Sequence, residues 1–154
     1  MKKVLKLADC FVVAALVFAL SSCSKDEMNE KRIVGEWQST NVNYKNYEKK
    51  YDGDYTLMKN ISEDCIGWNV TFVFNGNGKG SVINNTDGKT ELKSMTWEVM
   101  KDRLYCNLTD DDVAVFSIDF LKGDKMVLTF TDEYQLVYFG AVYKDVMTYT
   151  FKKM

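Results

Sequence analysis

Alternation of apolar and polar side chains at every second position is the feature that most constrains the fold of this chain. From Ile33 to Met154 the alternation recurs in short segments that are separated by breaks of a few residues. A period of two is typical of strands with one buried face, so the pattern predicts β-strands rather than helices. The apolar members of these segments are Val70, Phe72 and Phe74; Met95, Trp97 and Val99; Leu104, Cys106 and Leu108; Phe116, Ile118 and Phe120; Met126, Leu128 and Phe130; and Met147, Tyr149 and Phe151.

The breaks between these segments are short and rich in Gly, Asn and Asp, as at residues 75–78, 85–88 and 122–124. Such residues form tight turns, whereas parallel pairing would need crossover connections of about a dozen residues or more. A first segment over Ile33–Val42 and a return strand over residues 80–85 bring the total to about eight strands. The chain is therefore predicted to be all-β, a single antiparallel up-and-down eight-stranded barrel, because closure removes exposed edges.

Two segments depart from this alternation. Four tyrosines recur at steps of three, four and four residues in a stretch that contains Gly53, which predicts a short helix or an ordered lid loop after the first strand: Tyr44, Tyr47, Tyr51 and Tyr55. These tyrosines either cover a ligand at the barrel mouth or pack on the outside of the barrel. The segment from Tyr134 to Tyr143 is apolar and contains Gly140, so an added strand and a long connection both remain open.

The first 22 residues have the pattern of a secretory signal. Lys2, Lys3 and Lys6 precede an apolar run of 11 residues, Cys10–Leu20, which spans about 16 Å as a helix against roughly 30 Å of bilayer hydrocarbon. Residues 20–23, Leu-Ser-Ser-Cys, resemble a bacterial lipobox, which implies lipidation at Cys23 and a membrane anchor. The alternative is ordinary cleavage near residue 19 or 21, which leaves a thiol at Cys23.

After Cys23 the chain reads Ser-Lys-Asp-Glu, which is similar to the acidic export signal of surface-exposed lipoproteins in one Gram-negative phylum. We therefore expect residues 23–31 to be a lipid-anchored acidic tether, residues 32–154 to be the barrel domain, and the protein to be an outer membrane lipoprotein on the cell surface. The alternative is a periplasm-facing lipoprotein, in which the same residues serve only as a polar tether.

Composition argues against catalysis and against nucleic acid. The chain has no His, which removes the commonest general base and metal ligand, and it has no CxxC motif. Without residues 1–22 it carries 17 basic and 21 acidic side chains, a net charge of −4 with no basic patch. We expect no catalytic residue, no cofactor, no metal site and no nucleic-acid partner.

Several short motifs, in order, carry a family resemblance. Ile-Val-Gly-Glu-Trp at residues 33–37, Thr-Phe-Val-Phe-Asn-Gly-Asn-Gly at 71–78, Thr-Trp-Glu-Val at 96–99 and Tyr-Thr-Phe-Lys at 149–152 together resemble the lipocalin-like domain of bacterial lipoproteins, in the calycin group. The resemblance covers about 120 residues. It implies that Gly35 and Trp37 close one end of the barrel, with Lys152 or Lys153 packed over the indole.

Two cysteines remain beyond the signal and the lipid site, Cys65 and Cys106. Thiols outside the inner membrane are usually paired, and lipoproteins similar to this one often carry such a pair. A bridge would close a loop of about 40 residues, worth on the order of 4 kcal/mol. The alternative is a free thiol at Cys106, on an apolar face where it would pack well.

Two functions fit this barrel. One is a binding protein that holds a small apolar or amphipathic ligand in its mouth, under the tyrosine segment. The other is an envelope scaffold with a filled barrel, an accessory surface lipoprotein whose loops bind a glycan or another envelope protein. Interior volume separates them, because a cavity of about 300 Å³ or more is typical of small-molecule sites.

Overall fold

The computed structural model describes residues 25–50, 53–108, 112–136 and 140–154 of the chain. Within these ranges the chain forms one helix and nine strands: α1 (Lys25–Ile33), β1 (Gly35–Lys50), β2 (Thr56–Asp64), β3 (Trp68–Phe74), β4 (Lys79–Thr86), β5 (Lys89–Met100), β6 (Arg103–Leu108), β7 (Asp112–Lys122), β8 (Lys125–Leu136) and β9 (Ala141–Lys153). None of the helical residues in these ranges forms a helix of the length and apolarity that crossing a membrane requires.

All strand pairs are antiparallel, and the sheet closes on itself. β1 pairs with β9 from Trp37 opposite Lys153 to Lys50 opposite Ala141. β2 and β3 share one position in the ring, because β3 pairs with residues 35–38 of β1 and β2 pairs with residues 41–48 along the same edge. The nine strands therefore fill eight positions, and the predicted closed, eight-stranded antiparallel barrel is confirmed.

The core consists of the inward side chains that the alternation predicts. Trp37, Phe74, Leu104, Leu128 and Phe151 are almost fully buried. One predicted position is wrong. Phe120 is 44% exposed and Leu121 is buried instead, because the register between β7 and β8 shifts between Ile118 and Phe120. A bulge of this kind adds one residue and reverses the inward alternation beyond it.

The barrel wall continues at one end as an open sheet, which we call the extended sheet: residues 43–50 of β1, 56–63 of β2, 131–136 of β8 and 141–147 of β9. These segments pair with one another in the order β2, β1, β9, β8. In these four ranges only Ala141 is fully buried. Both faces of the extended sheet are therefore accessible to ligands or partners.

Both segments that departed from the alternation contribute residues to the extended sheet. Tyr44 and Tyr47 lie in β1, so the helical alternative is wrong for residues 44–50, and residues 53–55 lie outside both β1 and β2. Pairing of β1 with β9 over thirteen residue pairs outweighs the helical spacing. Tyr134 and Tyr143 face each other across the hairpin of β8 and β9, so this segment adds strand length.

The helix α1 precedes β1 and covers most of the segment predicted as a tether. Ile33, at its end, is fully buried, and Asn29 is 6% exposed. The helix packs against β5 and β7 at the end of the barrel that holds Trp37. Since Asn29 and Ile33 are buried against the barrel, α1 belongs structurally to the domain rather than to a solvated linker.

Candidate functional site

One end of the barrel is sealed by Trp37, whose side chain is fully buried. Its Nε1 donates a hydrogen bond to the backbone oxygen of Ile33 at 2.6 Å, which ties the indole to the end of α1. The Nζ of Lys153 lies 5.1 Å from the centre of the indole ring. Lys153 rather than Lys152 is thus the cation over the ring, because side chains alternate along β9 and Lys153 shares the inward face of Phe151.

Gly35 makes this arrangement possible in two ways. Its φ is +132°, in a region that L side chains rarely adopt. A Cβ at this position would also lie 2.6 Å from Cε of Lys153. The Gly-x-Trp motif at the start of β1 therefore has a structural role, and it leaves the opposite end of the barrel as the place for a ligand.

An apolar cavity lies inside the barrel, away from Trp37. Its volume is about 240 Å³, and it is partly open. Rings line its walls: Phe72 lies 5.4 Å from Phe151 and 5.9 Å from Phe116, between ring centres. The complete lining is Val70, Phe72, Ala114, Phe116, Phe130, Met147, Tyr149 and Phe151. We take this cavity as the candidate site.

The hydroxyl of Tyr149 is the polar side-chain group in this lining. It contacts only a weak acceptor within the described structure, Sδ of Met147 at 3.5 Å. Burial, and to a smaller extent the nearby Cys65, raise the pKa of Tyr149 above its usual value. The hydroxyl therefore stays protonated at neutral pH and can donate a hydrogen bond to a ligand.

Polar side chains of the extended sheet stand above the cavity. Tyr44 lies opposite Met147 in the register of β1 and β9, so it is next to the cavity lining. Its hydroxyl donates to Oδ1 of Asp145 at 2.9 Å, and Asn46 Nδ2 donates to the same oxygen at 2.7 Å. The hydrogen bond to Asp145 raises the pKa of Tyr44. Of the three predicted lid tyrosines that the structure describes, Tyr44 is the one placed beside the cavity.

Two further tyrosines extend this rim. The Tyr143 hydroxyl donates to Oε1 of Glu48 at 3.0 Å, and this hydrogen bond raises the pKa of Tyr143. Tyr134 stacks on Tyr143 with ring centres 5.8 Å apart. Neither residue was predicted as a site candidate, although Tyr143 lies two residues from Asp145 and four from Met147, which indicates a shared face of β9. Tyr134 is the partner of Tyr143 in β8.

Two other predicted lid tyrosines, Tyr47 and Tyr55, do not line the cavity. Tyr47 and Tyr55 lie on the outer face of the extended sheet, where Nζ of Lys144 is 5.1 Å and 3.9 Å from their ring centres. Tyr55 also donates a hydrogen bond to Glu133, which raises the pKa of the tyrosine. Tyr51 lies outside the described residues. Tyr47 and Tyr55 therefore form an outer surface and not a lid.

Cys65 and Cys106 are not bonded to each other in the structure, so the predicted disulfide is not found. Cys106 is buried in β6, between Trp97 of β5 and Ala114 of β7. Cys65 lies in the loop between β2 and β3, where its backbone N–H donates a hydrogen bond to the carbonyl oxygen of Thr40. Burial raises the pKa of the Cys106 thiol to about 12. This thiol is a packed core group.

Other predicted features fall outside this site. Cys23, the predicted lipid site, lies outside the described residues. In the ranges that the structure describes, no three His, Cys, Asp or Glu side chains come together as a metal site would need. The cavity chemistry is accordingly that of apolar contact with one hydroxyl.

Comparison with known proteins adds one finding. A family model described as a lipocalin-like domain matches residues 33–128. The match begins at the buried Ile33, includes Gly35 and Trp37, and ends within β8. No curated protein matches the chain.

Proposed function

The chain belongs to the family of lipocalin-like domains, and from this premise we propose that it is a non-catalytic binding protein that holds a small apolar or amphipathic ligand in the open end of its barrel. The observation that carries the proposal is the cavity of about 240 Å³, which is smaller than the roughly 300 Å³ expected for a small-molecule site but is not the filled interior of a scaffold. Five of its eight lining residues are aromatic, and Trp37 closes the far end of the barrel. Apolar walls with few polar groups are typical of small-molecule sites.

The volume limits the ligand. An apolar cavity of about 150 Å³ binds benzene, whereas sites for drug-sized ligands begin at roughly 300 Å³. A ligand of this cavity is therefore about the size of one or two rings, or of a ring with a short chain. The Tyr149 hydroxyl favours a ligand with one hydrogen-bond acceptor, and the rim of Tyr44, Tyr134 and Tyr143 can contact a polar end.

A matched pair of variants tests the cavity. Ala114 lines the cavity, and Val113, the residue before it in β7, is 51% exposed on the outside of the barrel. Ala114→Phe should fill the cavity and Val113→Phe should leave it open. We expect titration calorimetry with toluene to show binding to the wild type and to Val113→Phe, and none to Ala114→Phe.

The natural ligand can be sought in the same variants. Native mass spectrometry of protein purified from its own cells should show a bound mass in wild type and Val113→Phe that Ala114→Phe lacks. The proposal fails if toluene does not bind the folded wild type, or if it binds equally to both variants. Near-UV circular dichroism of each variant checks that the barrel is folded.

We further propose that the protein is anchored to the outer membrane through a lipid on Cys23 and displayed at the cell surface. The position of α1 supports this, because Ile33 packs on Trp37 at the sealed end of the barrel. An anchor that precedes α1 would hold the sealed end and leave the cavity open to the surroundings. Labelling with palmitate tests the anchor, and we expect label in the wild type but not in Cys23→Ser. Protease digestion of intact cells tests the membrane face, because only a surface-exposed protein should be digested.

A second candidate function rests on the outer face of the extended sheet. Tyr47, Tyr55, Lys49 and Lys144 place aromatic rings and cations together on an accessible surface. Such a surface suits a glycan or another envelope protein. A Tyr47→Ala/Tyr55→Ala variant should then lose binding to surface polysaccharide of the same cells while it still binds toluene. Loss of neither activity would contradict this candidate.

A further inference from the structure

Within the described residues, β2 pairs with another strand along one edge only. It pairs with β1 over residues 41–48, and no described residue pairs with its other edge. The strand is nine residues long, and every residue except Ile61 is exposed. An exposed strand edge with unpaired amides and carbonyls is a template for another strand.

The backbone groups at this open edge can be assigned. The amide of Cys65 donates to Thr40 of β1 at 3.0 Å, and Asn43 Nδ2 reaches the carbonyl oxygen of Ile61 at 3.4 Å. Backbone groups of alternate residues point to the same side of a strand. Odd-numbered residues of this stretch therefore bond toward β1, while Asn60 and Ser62 present their amides and carbonyls to the open edge.

We propose that the open edge of β2 pairs with β2 of a second copy of this chain, antiparallel, with the two Ile61 side chains opposite each other on a two-fold axis. In this register Asn60 of one copy pairs with Ser62 of the other through their free backbone groups. Lys59 then stands opposite Glu63 at two symmetric places. Opposite charges in directly opposed positions stabilise strand pairs. A shift by two residues in either direction loses both charge pairs.

The connectivity leaves room for the two barrels. Each barrel joins β2 beyond its Asp64 end, through β3. In an antiparallel pair the second barrel lies beyond the Thr56 end, so the barrels stand at opposite ends of the joined strands. Exposed apolar residues lie along or next to this edge, with Leu57 48%, Met58 57% and Ile66 82% exposed. The interface is isologous, as two-fold dimers require.

Cross-linking of the full chain in the cells that express it tests the pairing. Residues on the axis form a pair without mutual hydrogen bonds, with Cα atoms about 4.5 Å apart, which suits a disulfide. We expect Ile61→Cys to give a covalent dimer on a non-reducing gel under mild oxidation. Leu92→Cys, on β5 and 66% exposed, is the matched control and should not give one. Wild-type protein measures any contribution of the native cysteines.

Charge exchange tests the register. In the Ile61→Cys background, Glu63→Lys should lower the dimer yield several-fold, because it places lysines opposite each other, and Lys59→Glu/Glu63→Lys should restore it. Equal cross-linking of Ile61→Cys and Leu92→Cys, no dimer from Ile61→Cys, or adducts with other proteins in place of the dimer would each overturn the proposal. A yield unaffected by charge reversal would overturn the register and with it the proposed interface.

Discussion

Lys153 stabilises the sealed end of the barrel through its position over the Trp37 ring, 5.1 Å from the ring centre. A contact between a cation and an indole contributes about 0.5–2 kcal/mol, depending on its exposure. We expect Lys153→Met to lower the free energy of unfolding by about that amount, while Lys152→Met, its exposed neighbour, changes it little. Urea unfolding at equilibrium measures both. Equal effects of the two variants would contradict the assigned role of Lys153.

The choice between these two lysines shows what alternation alone can settle. Trp37 was predicted to seal the barrel from the Gly-x-Trp motif, and Phe151 was predicted to face inward. Side chains two residues apart in a strand point to the same face, so Lys153 lies on the inner face with Phe151. Apolar and polar side chains alternate over residues 147–152, so the sequence already favoured Lys153 for the inner face. The positive φ of Gly35 and the close approach of the Lys153 side chain to it could not be predicted from the sequence.

Tyr149 should set the polar selectivity of the cavity, because its hydroxyl has only the Met147 sulfur as a partner in the described structure. Tyr149→Phe removes one hydrogen bond to a ligand, worth about 0.5–1.5 kcal/mol. We expect this variant to bind acetophenone, which has a carbonyl acceptor, up to about tenfold more weakly than wild type does. Toluene, which has no acceptor, should bind both proteins alike. Calorimetry measures both ligands, and equal losses would indicate a change in cavity shape instead.

At the scale of elements, α1 acts as a plug on the sealed end. Ile33 is fully buried, and its carbonyl accepts the hydrogen bond of Trp37, whereas Met28 on the same helix is 39% exposed. Truncation of a buried Ile costs about 2–5 kcal/mol. Ile33→Ala should therefore lower stability by an amount in this range, and Met28→Ala should have little effect. A stability unchanged by Ile33→Ala would mean that the helix is dispensable.

The extended sheet shows where local sequence signals fail. The spacing of Tyr44, Tyr47 and Tyr55 is compatible with a helix, but Tyr44 and Tyr47 lie on opposite faces of the strand β1 and Tyr55 precedes β2. Long-range pairing of β1 with β9 decides between the two structures, and its partner strand lies about a hundred residues away in the chain. Periodicity within one segment has no access to such a contact.

At the scale of the whole molecule, the barrel was predictable because many segments agreed. Six apolar rows, short turns and the Gly-x-Trp start all required the same closed antiparallel sheet. The cavity was not predictable, because its volume depends on how far Phe72, Phe116 and Phe151 fill the space between opposite walls. A bulge such as that before Phe120 changes which side chains enter the interior. Alternation predicts the direction of side chains and does not predict the space that they leave.

The pH dependence of stability follows from two groups in the core. Burial raises the pKa of Cys106 to about 12 and also raises the pKa of Tyr149, so folding favours the protonated form of each group. Their stabilising contribution is complete below the unfolded-state values of 9.0 and 10.0 and is lost as the pH rises toward the folded-state values.

The free energy of unfolding should therefore fall above pH 9, first through Cys106 and then also through Tyr149. Urea unfolding at pH 7, 9 and 10.5 measures this fall in wild type. Cys106→Ala should lower stability at pH 7, because it leaves a cavity in the core, but it should show a smaller decrease between pH 9 and 10.5 than wild type. Tyr105→Phe, on the same strand, is the control, because Tyr105 lacks the burial of Cys106. A wild-type stability that is constant to pH 10.5 would show that neither group is held protonated by the core.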